Sequence, residues 1–258
     1  MTAEQRWREQ LLAWAIPDEY LAAVRDSPWQ FPAATMARRT ETQLANPTGE
    51  SYARAVDALA EPGTVLDVGA AAGAASLPLA GRITGLTAVD EQPSMMDALV
   101  TRADALSVPV RTIAGRWPDV ADQVSTVDVV VCHHVVYNVP DLADFVRALD
   151  GHARRRVVVE LTDRHPMHVL NAYWRRMHGL GRPEGPTAED AMAVLREIGI
   201  EPRVDRWRRP RTPHPFDEYV ATTARAVCVP PERLDELAGV IAEEGGEPPD
   251  RAVVTLSW

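Results

Sequence analysis

VLDVGAAAGAASLPLA, Val65 to Ala80, is the part of this 258-residue chain whose reading decides the fold. It opens as a short apolar run of strand formers and breaks into glycine and alanine. It then continues as an apolar stretch that predicts a helix over Ala72 to Ala80. The junction carries one acid, Asp67, and two glycines, Gly69 and Gly73. In open α/β sheets ligands sit beyond the carboxyl ends of the strands, where strand order reverses, and the first strand flanks that point. Glycine there lets the backbone turn tightly and approach a ligand with no Cβ in between. The free N–H groups of a following helix face the same space.

Two glycine patterns use this layout. A dinucleotide turn wants G-x-G-x-x-G, with pyrophosphate on the helix end. Counted from Gly69, its second and third places hold Ala71 and Ala74, and Asp67 would lie close to the phosphates. The pattern D-x-G-x-G-x-G fits at Asp67, Gly69 and Gly73, with Ala71 in the middle place. Alanine is tolerable there where its φ is negative.

Outward from this stretch the pattern alternates. TVLDV, LTAVD, VPVRTIAG, TVDVVVC and RRVVVEL read as strands, with helices at PSMMDALVTRADAL and VPDLADFVRALDG. Valine-rich strands separated by helices mean parallel βαβ units with both faces covered. Beyond them, His168 to about His178 and TAEDAMAVLREIG read as helices, IEPRVDRW as a strand, FDEYVATTARAV and PPERLDELAGVIAEEGG as helices, and RAVVTLSW as a last strand. The expected fold is α/β, a doubly wound, mostly parallel seven-stranded sheet. Residues 1–60 form a helical N-terminal extension: EQRWREQLLAWA, a fresh start at IPDEYLAAVRD, a break at SPWQFPAA and a helix in NPTGESYARAVDALAEPG. The α/β domain occupies 61–258.

Composition excludes several classes. The net charge of −10 argues against nucleic-acid binding driven by overall electrostatics. The charged start lacks the apolar core of a secretory signal, and no stretch is apolar for long enough to span a membrane; a cytoplasmic protein is expected. Cys132 and Cys228 match no metal or redox spacing. His165 and His168 are three apart, but Pro166 lies between them and no acid stands at ligand spacing, so no metal is expected.

The ordered motifs resemble those of the class I S-adenosylmethionine-dependent methyltransferases. DVGAAAG is similar to that family's first motif. TAVDEQPSMM places Asp90 at a strand end 23 residues beyond Asp67 and resembles its D-x-S-x-x-M run. TIAGRWPDV occupies the third position, with Gly115, Arg116 and Trp117 where the family often has Gly–Asp–Ala. VDVVVCHHVVYNVPDL resembles the motif after the fourth strand. The resemblance runs from Val65 to about Leu161. It implies S-adenosyl-L-methionine as cofactor, a sulfonium and ammonium ligand without phosphate, for which nearby carboxylates help. Asp67, Gly69, Ala70, Ala71, Gly73, Asp90, Glu91, Met95, Arg116, Trp117 and His133 are the implied binding residues. Asp90 would accept from the ribose hydroxyls, and Trp117 offers a stacking face in place of an acid.

Methyl transfer needs the acceptor aligned and, for a hydroxyl or protonated amine, a proton removed. The groups where strand ends converge are His134, Tyr137 and Glu160, with one of the adjacent histidines facing cofactor and the other acceptor. Links at 162–186 and 208–250 leave from the cofactor side and read as lids, which suits a small-molecule acceptor. RWRRPR, Arg206 to Arg211, has two readings: a solvated strand edge guarded against pairing, or a contact for an anionic acceptor. An RNA or protein methyltransferase and a non-catalytic cofactor-binding protein are the alternatives within the fold.

Overall fold

The structure is a computed structural model describing residues 1–22, 24, 28, 33–211 and 214–258. Four helices come first: α1 (Ala3–Leu12), α2 (Asp18–Leu21), α3 (Ala33–Ala45) and α4 (Glu50–Ala58). Then follow β1 (Gly63–Val68), β2 (Ile83–Asp90), α5 (Pro93–Ala105), β3 (Val110–Ala114), β4 (Val127–His133), α6 (Leu142–His152) and β5 (Ala153–Thr162). The C-terminal part comprises α7 (Asn171–His178), α8 (Ala188–Glu197), β6 (Arg203–Pro210), α9 (Phe216–Ala226), α10 (Leu234–Glu243) and β7 (Asp250–Ser257). The seven strands form one sheet in the order β3-β2-β1-β4-β5-β7-β6. Neighbours from β3 to β5 are parallel, and β7 runs antiparallel to both β5 and β6. The order reverses between β1 and β4, the place where such sheets bind ligands.

Pleat alternation divides the strand residues between two cores. Leu66, Val68, Val130, Cys132 and Val159 face α1, α6 and α8. Val65, Ala88, Val129, Val131 and Val158 face the opposite way, against α4 and α5. Local chemistry starts the outer helices: Thr2 with Gln5, and Thr187 with Asp190, make capping boxes on α1 and α8.

Three segments far apart in sequence build a third core. Ile16 of the N-terminal extension, Tyr173, Trp174 and Met177 of α7, Val220 and Ala224 of α9, and Leu237 and Ile241 of α10 pack together. The two links expected as lids thus pack together, with Ile16 of the N-terminal extension, in one helical unit, the cap. The N-terminal extension is divided in the same sense: α1 lies on α8, α4 lies on β5, and Ile16 belongs to the cap.

Two local expectations differ from the structure. The stretch after β1 is not an α-helix over 72–80 but a run of turns followed by a 3-10 helix, Leu77–Arg82. Gly73 sits at φ +88°, Pro78 brings no N–H, and the Ser76 side chain is committed to Asp67, so no α-helical ladder starts. Helix α3 was not expected at all. The expected break at SPWQFPAA falls largely on residues outside the described ones, and α3 begins within its last two alanines.

Among the described residues no helix is long and apolar enough to cross a membrane. Trp174 is 1% exposed at the centre of the cap core. Trp174→Ala is expected to lower the unfolding free energy by about 3–5 kcal/mol, read as a reduced midpoint in a urea titration.

Candidate active site

The turn after β1 is fastened across the end of β2. Gly69 N–H and Ala70 N–H both donate to the Val89 carbonyl, at 2.9 and 3.1 Å. Gly69 has φ +71°, and a Cβ there would come within 2.3 Å of Val135 Cγ2 in the loop after β4. Glycine is thus required twice, for its backbone conformation and for the close approach of that loop. Ala71 has φ +43°, not the negative value expected for an alanine. Its N–H is turned onto Asp90 Oδ2 at 2.8 Å, and this bond to a carboxylate offsets a left-handed strain of about 1–2 kcal/mol.

Asp90 Oδ1 accepts from the Gln92 N–H at 2.8 Å. Each of its oxygens keeps a further lone pair. Asp67 is fully buried. Its Oδ2 accepts from Ser76 Oγ at 2.6 Å, while Oδ1 has no hydrogen-bond partner among the described residues. Burial, aided by the neighbouring Asp90 charge, outweighs the Ser76 bond and pushes the Asp67 carboxyl up to about 7. Two carboxylates beside a bare turn, one with an orphaned oxygen, suit a cationic ligand and would repel a pyrophosphate. The residues therefore fit S-adenosylmethionine.

A second polar cluster lies at the ends of β4 and β5. Glu160, fully buried, is opposite His133 in the β4–β5 register. His134 takes φ +62° just past β4 and donates its backbone N–H to the Glu160 carbonyl at 2.7 Å. Its Nε2 lies 2.7 Å from Glu160 Oε1, a close but poorly aligned contact. Arg209 of β6 donates to Glu160 Oε2 at 2.8 Å, and Arg39 of α3 reaches within 3.7 Å of Oε1. Burial works to raise the Glu160 carboxyl, but His133, His134 and Arg209 hold it well below the usual carboxylate range. Burial brings His133 down to about 4 and His134 to about 3; both rings are neutral at pH 7.

Helix α3 joins the two parts. The Thr40 hydroxyl lies 3.1 Å from the Met36 carbonyl of its own helix and 3.2 Å from the Ala72 carbonyl in the glycine turn, and the preceding residue, Arg39, faces Glu160.

The structure brings Asp67, Gly69, Ala70, Ala71, Gly73 and Asp90 together at the turn, and His133, His134 and Glu160 beside it. Met95 lies buried in the first turn of α5. Arg116 and Glu91 form an exposed pair at 3.8 Å. Trp117 is not at an open face: it is buried in the core around α6, edge-on to His152 at 4.9 Å. Tyr137 is also set apart. Its hydroxyl donates to the Thr162 carbonyl at 2.7 Å, and its ring stacks on Trp7 at 5.5 Å. His165 stacks on Trp14 at 4.0 Å while His168 pairs with Glu184 at 2.8 Å, so each has its own partner. Sequence reasoning missed Arg39, Thr40, Ser76 and Arg251. For the first two, the run of good helix formers in AATMARRTETQLA was the available signal.

Comparison with known proteins bears on the fold. The model of a methyltransferase domain family matches residues 65–155. No curated relative matches the sequence. Among solved structures, BH2331 from Bacillus halodurans C-125 is 15% identical and superposes with a TM-score of 0.56, covering 81% of this chain and 98% of that one. Magnesium protoporphyrin IX methyltransferase from Synechocystis PCC 6803, solved with bound SAH, is 14% identical with a TM-score of 0.51, covering 93% and 92%. The YcgJ protein from Bacillus subtilis is 14% identical with a TM-score of 0.51, covering 85% and 96%. At such identities these structures show the shared fold. Residues 65–155 thus match a methyltransferase domain, on a fold shared with these solved structures.

The Asp67 carboxyl titrates above its unfolded value of about 3.9. The folded state therefore binds the extra proton, and this contribution to stability is full below pH 4 and lost as pH rises to about 7. Asp67→Asn keeps an acceptor for Ser76. It is expected to melt several degrees above the wild type at pH 8 and level with it near pH 4, by calorimetric scans, while its cofactor affinity falls.

Proposed function

We propose that this enzyme transfers a methyl group from S-adenosyl-L-methionine to a small-molecule acceptor held at the ends of β4 and β5. The single observation that carries the reading is the pair of consecutive residues on α3. Thr40 touches the glycine turn and Arg39 faces Glu160, so cofactor side and polar cluster are neighbours. The helical cap and the net charge of −10 support a small molecule over a nucleic acid.

When bound, the cofactor supplies an activated methyl group on a sulfonium, which leaves as a neutral thioether. Asp67 and Asp90 would hold its ammonium and ribose hydroxyls, with the backbone of Gly69 to Gly73 lying against it and Met95 on the apolar side. The acceptor falls to His134. His134 Nε2 lies 2.7 Å from Glu160 Oε1 and 3.3 Å from Arg209 Nη1, so these two neighbours hold the ring in place. Glu160 and Arg209 thus position the His134 ring beside the acceptor. A base as weak as this one suffices, because a hydroxyl becomes strongly acidic as its oxygen gains the methyl group.

Calorimetry on the wild type is expected to show S-adenosylmethionine binding, weakened at least tenfold in Asp90→Ala. No binding by the wild type would overturn the reading. Incubation with a cell extract freed of protein and nucleic acid should yield S-adenosylhomocysteine. His134→Gln should slow this by roughly 10²-fold or more with cofactor affinity preserved. Turnover confined to tRNA or protein fractions would remove the small-molecule acceptor.

A further inference from the structure

The polar cluster carries more positive charge than it answers. Arg209 and Arg251 are direct partners across the antiparallel β6–β7 pair. Glu160 pairs with Thr255 on β7, four residues from Arg251. By pleat alternation all three lie on the face covered by α3 and α4. Like charges directly opposite on adjacent strands are destabilising. Glu160 answers Arg209 at 2.8 Å and stands 3.7 Å from Arg39. Arg251 makes no hydrogen bond or ion pair among the described residues, although burial and the surrounding arginines bring it down to about 10. Burial brings Arg39 to about 10 as well, so both remain charged at pH 7. His133 and His134 are neutral there. Arg211 is matched by Glu247 at 3.6 Å. The cluster thus holds three guanidiniums against one carboxylate. Its buried Arg209 Nε and His133 Nε2 also lack partners among the described residues.

An uncompensated buried charge is costly, and a guanidinium fork matches the two oxygens of a carboxylate or phosphate. Resting on the methyltransferase reading, we infer that Arg39, Arg209 and Arg251 receive an oxyanion, carboxylate or phosphate, carried by the methyl acceptor, beside the His134–Glu160 pair. The position supports the acceptor as its source over the cofactor. Arg209 and Arg251 stand on β6 and β7, beyond β4 and β5 from the glycine turn.

The test titrates benzoate, phenyl phosphate and uncharged benzamide into the full chain, with and without saturating S-adenosylhomocysteine. Binding is read by calorimetry and melting temperature. At least one oxyanion is expected to bind and raise the melting temperature while benzamide does not, and the stronger of the two identifies the group. Arg251→Gln should weaken that binding at least tenfold and leave S-adenosylhomocysteine affinity within twofold. In anion-free buffer the same variant should melt higher than the wild type, because an unanswered charge is gone; a purely structural arginine would lower it. Equal behaviour of benzamide and the oxyanions, or no response to either oxyanion, overturns the proposal. So does an equal loss of S-adenosylhomocysteine affinity in Arg251→Gln, which would assign the cluster to the cofactor's own carboxylate. Wild-type protein that fails to bind S-adenosylhomocysteine defeats the methyltransferase reading instead, and the titration without it still decides the oxyanion site.

Discussion

A single buried carboxylate gathers the polar cluster at the ends of β4 and β5. Glu160 has no exposed surface, yet it meets His134 from the loop after β4, Arg209 from β6 and Arg39 from α3. Each of those segments reaches the site by a different route through the chain. Buried ion pairs are weak sources of stability, because desolvation cancels most of the attraction; removing one partner, however, leaves a stranded charge and costs about 3–5 kcal/mol. The consequence is positional. Once β5 places Glu160, the neighbouring segments are held to one arrangement, and α3 is brought over the glycine turn with its Thr40 on Ala72.

The period of the β-strand explains how one basic run serves two purposes. Along β6, Arg206 and Arg208 point to one face and remain exposed, paired with Asp163, Glu189 and Asp250. Arg209 points to the other face, half-buried against Glu160 and lying 4.8 Å from the centre of the Trp207 ring. Arg206 and Arg208 thus fit the solvated-edge reading of RWRRPR, while Arg209 turns inward to Glu160. Composition alone treats them alike; alternation separates them.

The legible part of the fold was the local part. The β1–β5 strands, the turn with its two glycines and the acid at the end of β2 are encoded within short windows, and periodicity reads such windows well. What escaped was set by distant contacts or by single dihedrals. Arg251 gains meaning only from the β6–β7 register, which puts it opposite Arg209. The cap core needs Ile16, Trp174 and Ile241 together, more than two hundred residues apart in sequence at the extremes. Tyr137 looked like a site residue because it follows the histidines. One more step along the loop took it into the core, where the Thr162 carbonyl satisfies it. Ala71 shows the limit most sharply: no residue pattern announces a left-handed alanine, since the cause is the Asp90 carboxylate 19 residues away.

The two ends of the site carry opposite charge, and that polarity bears on the chemistry. Asp67 and Asp90 lie at the ends of β1 and β2, and the arginines stand on α3, β6 and β7. Under the proposed reading the first end would hold the cofactor's cation and the second the acceptor's anion. The raised Asp67 pKa belongs to the same design. A buried acid near neutrality ionises readily when a cation arrives to share its burial, so the charge that would destabilise the empty turn becomes favourable when its partner is present.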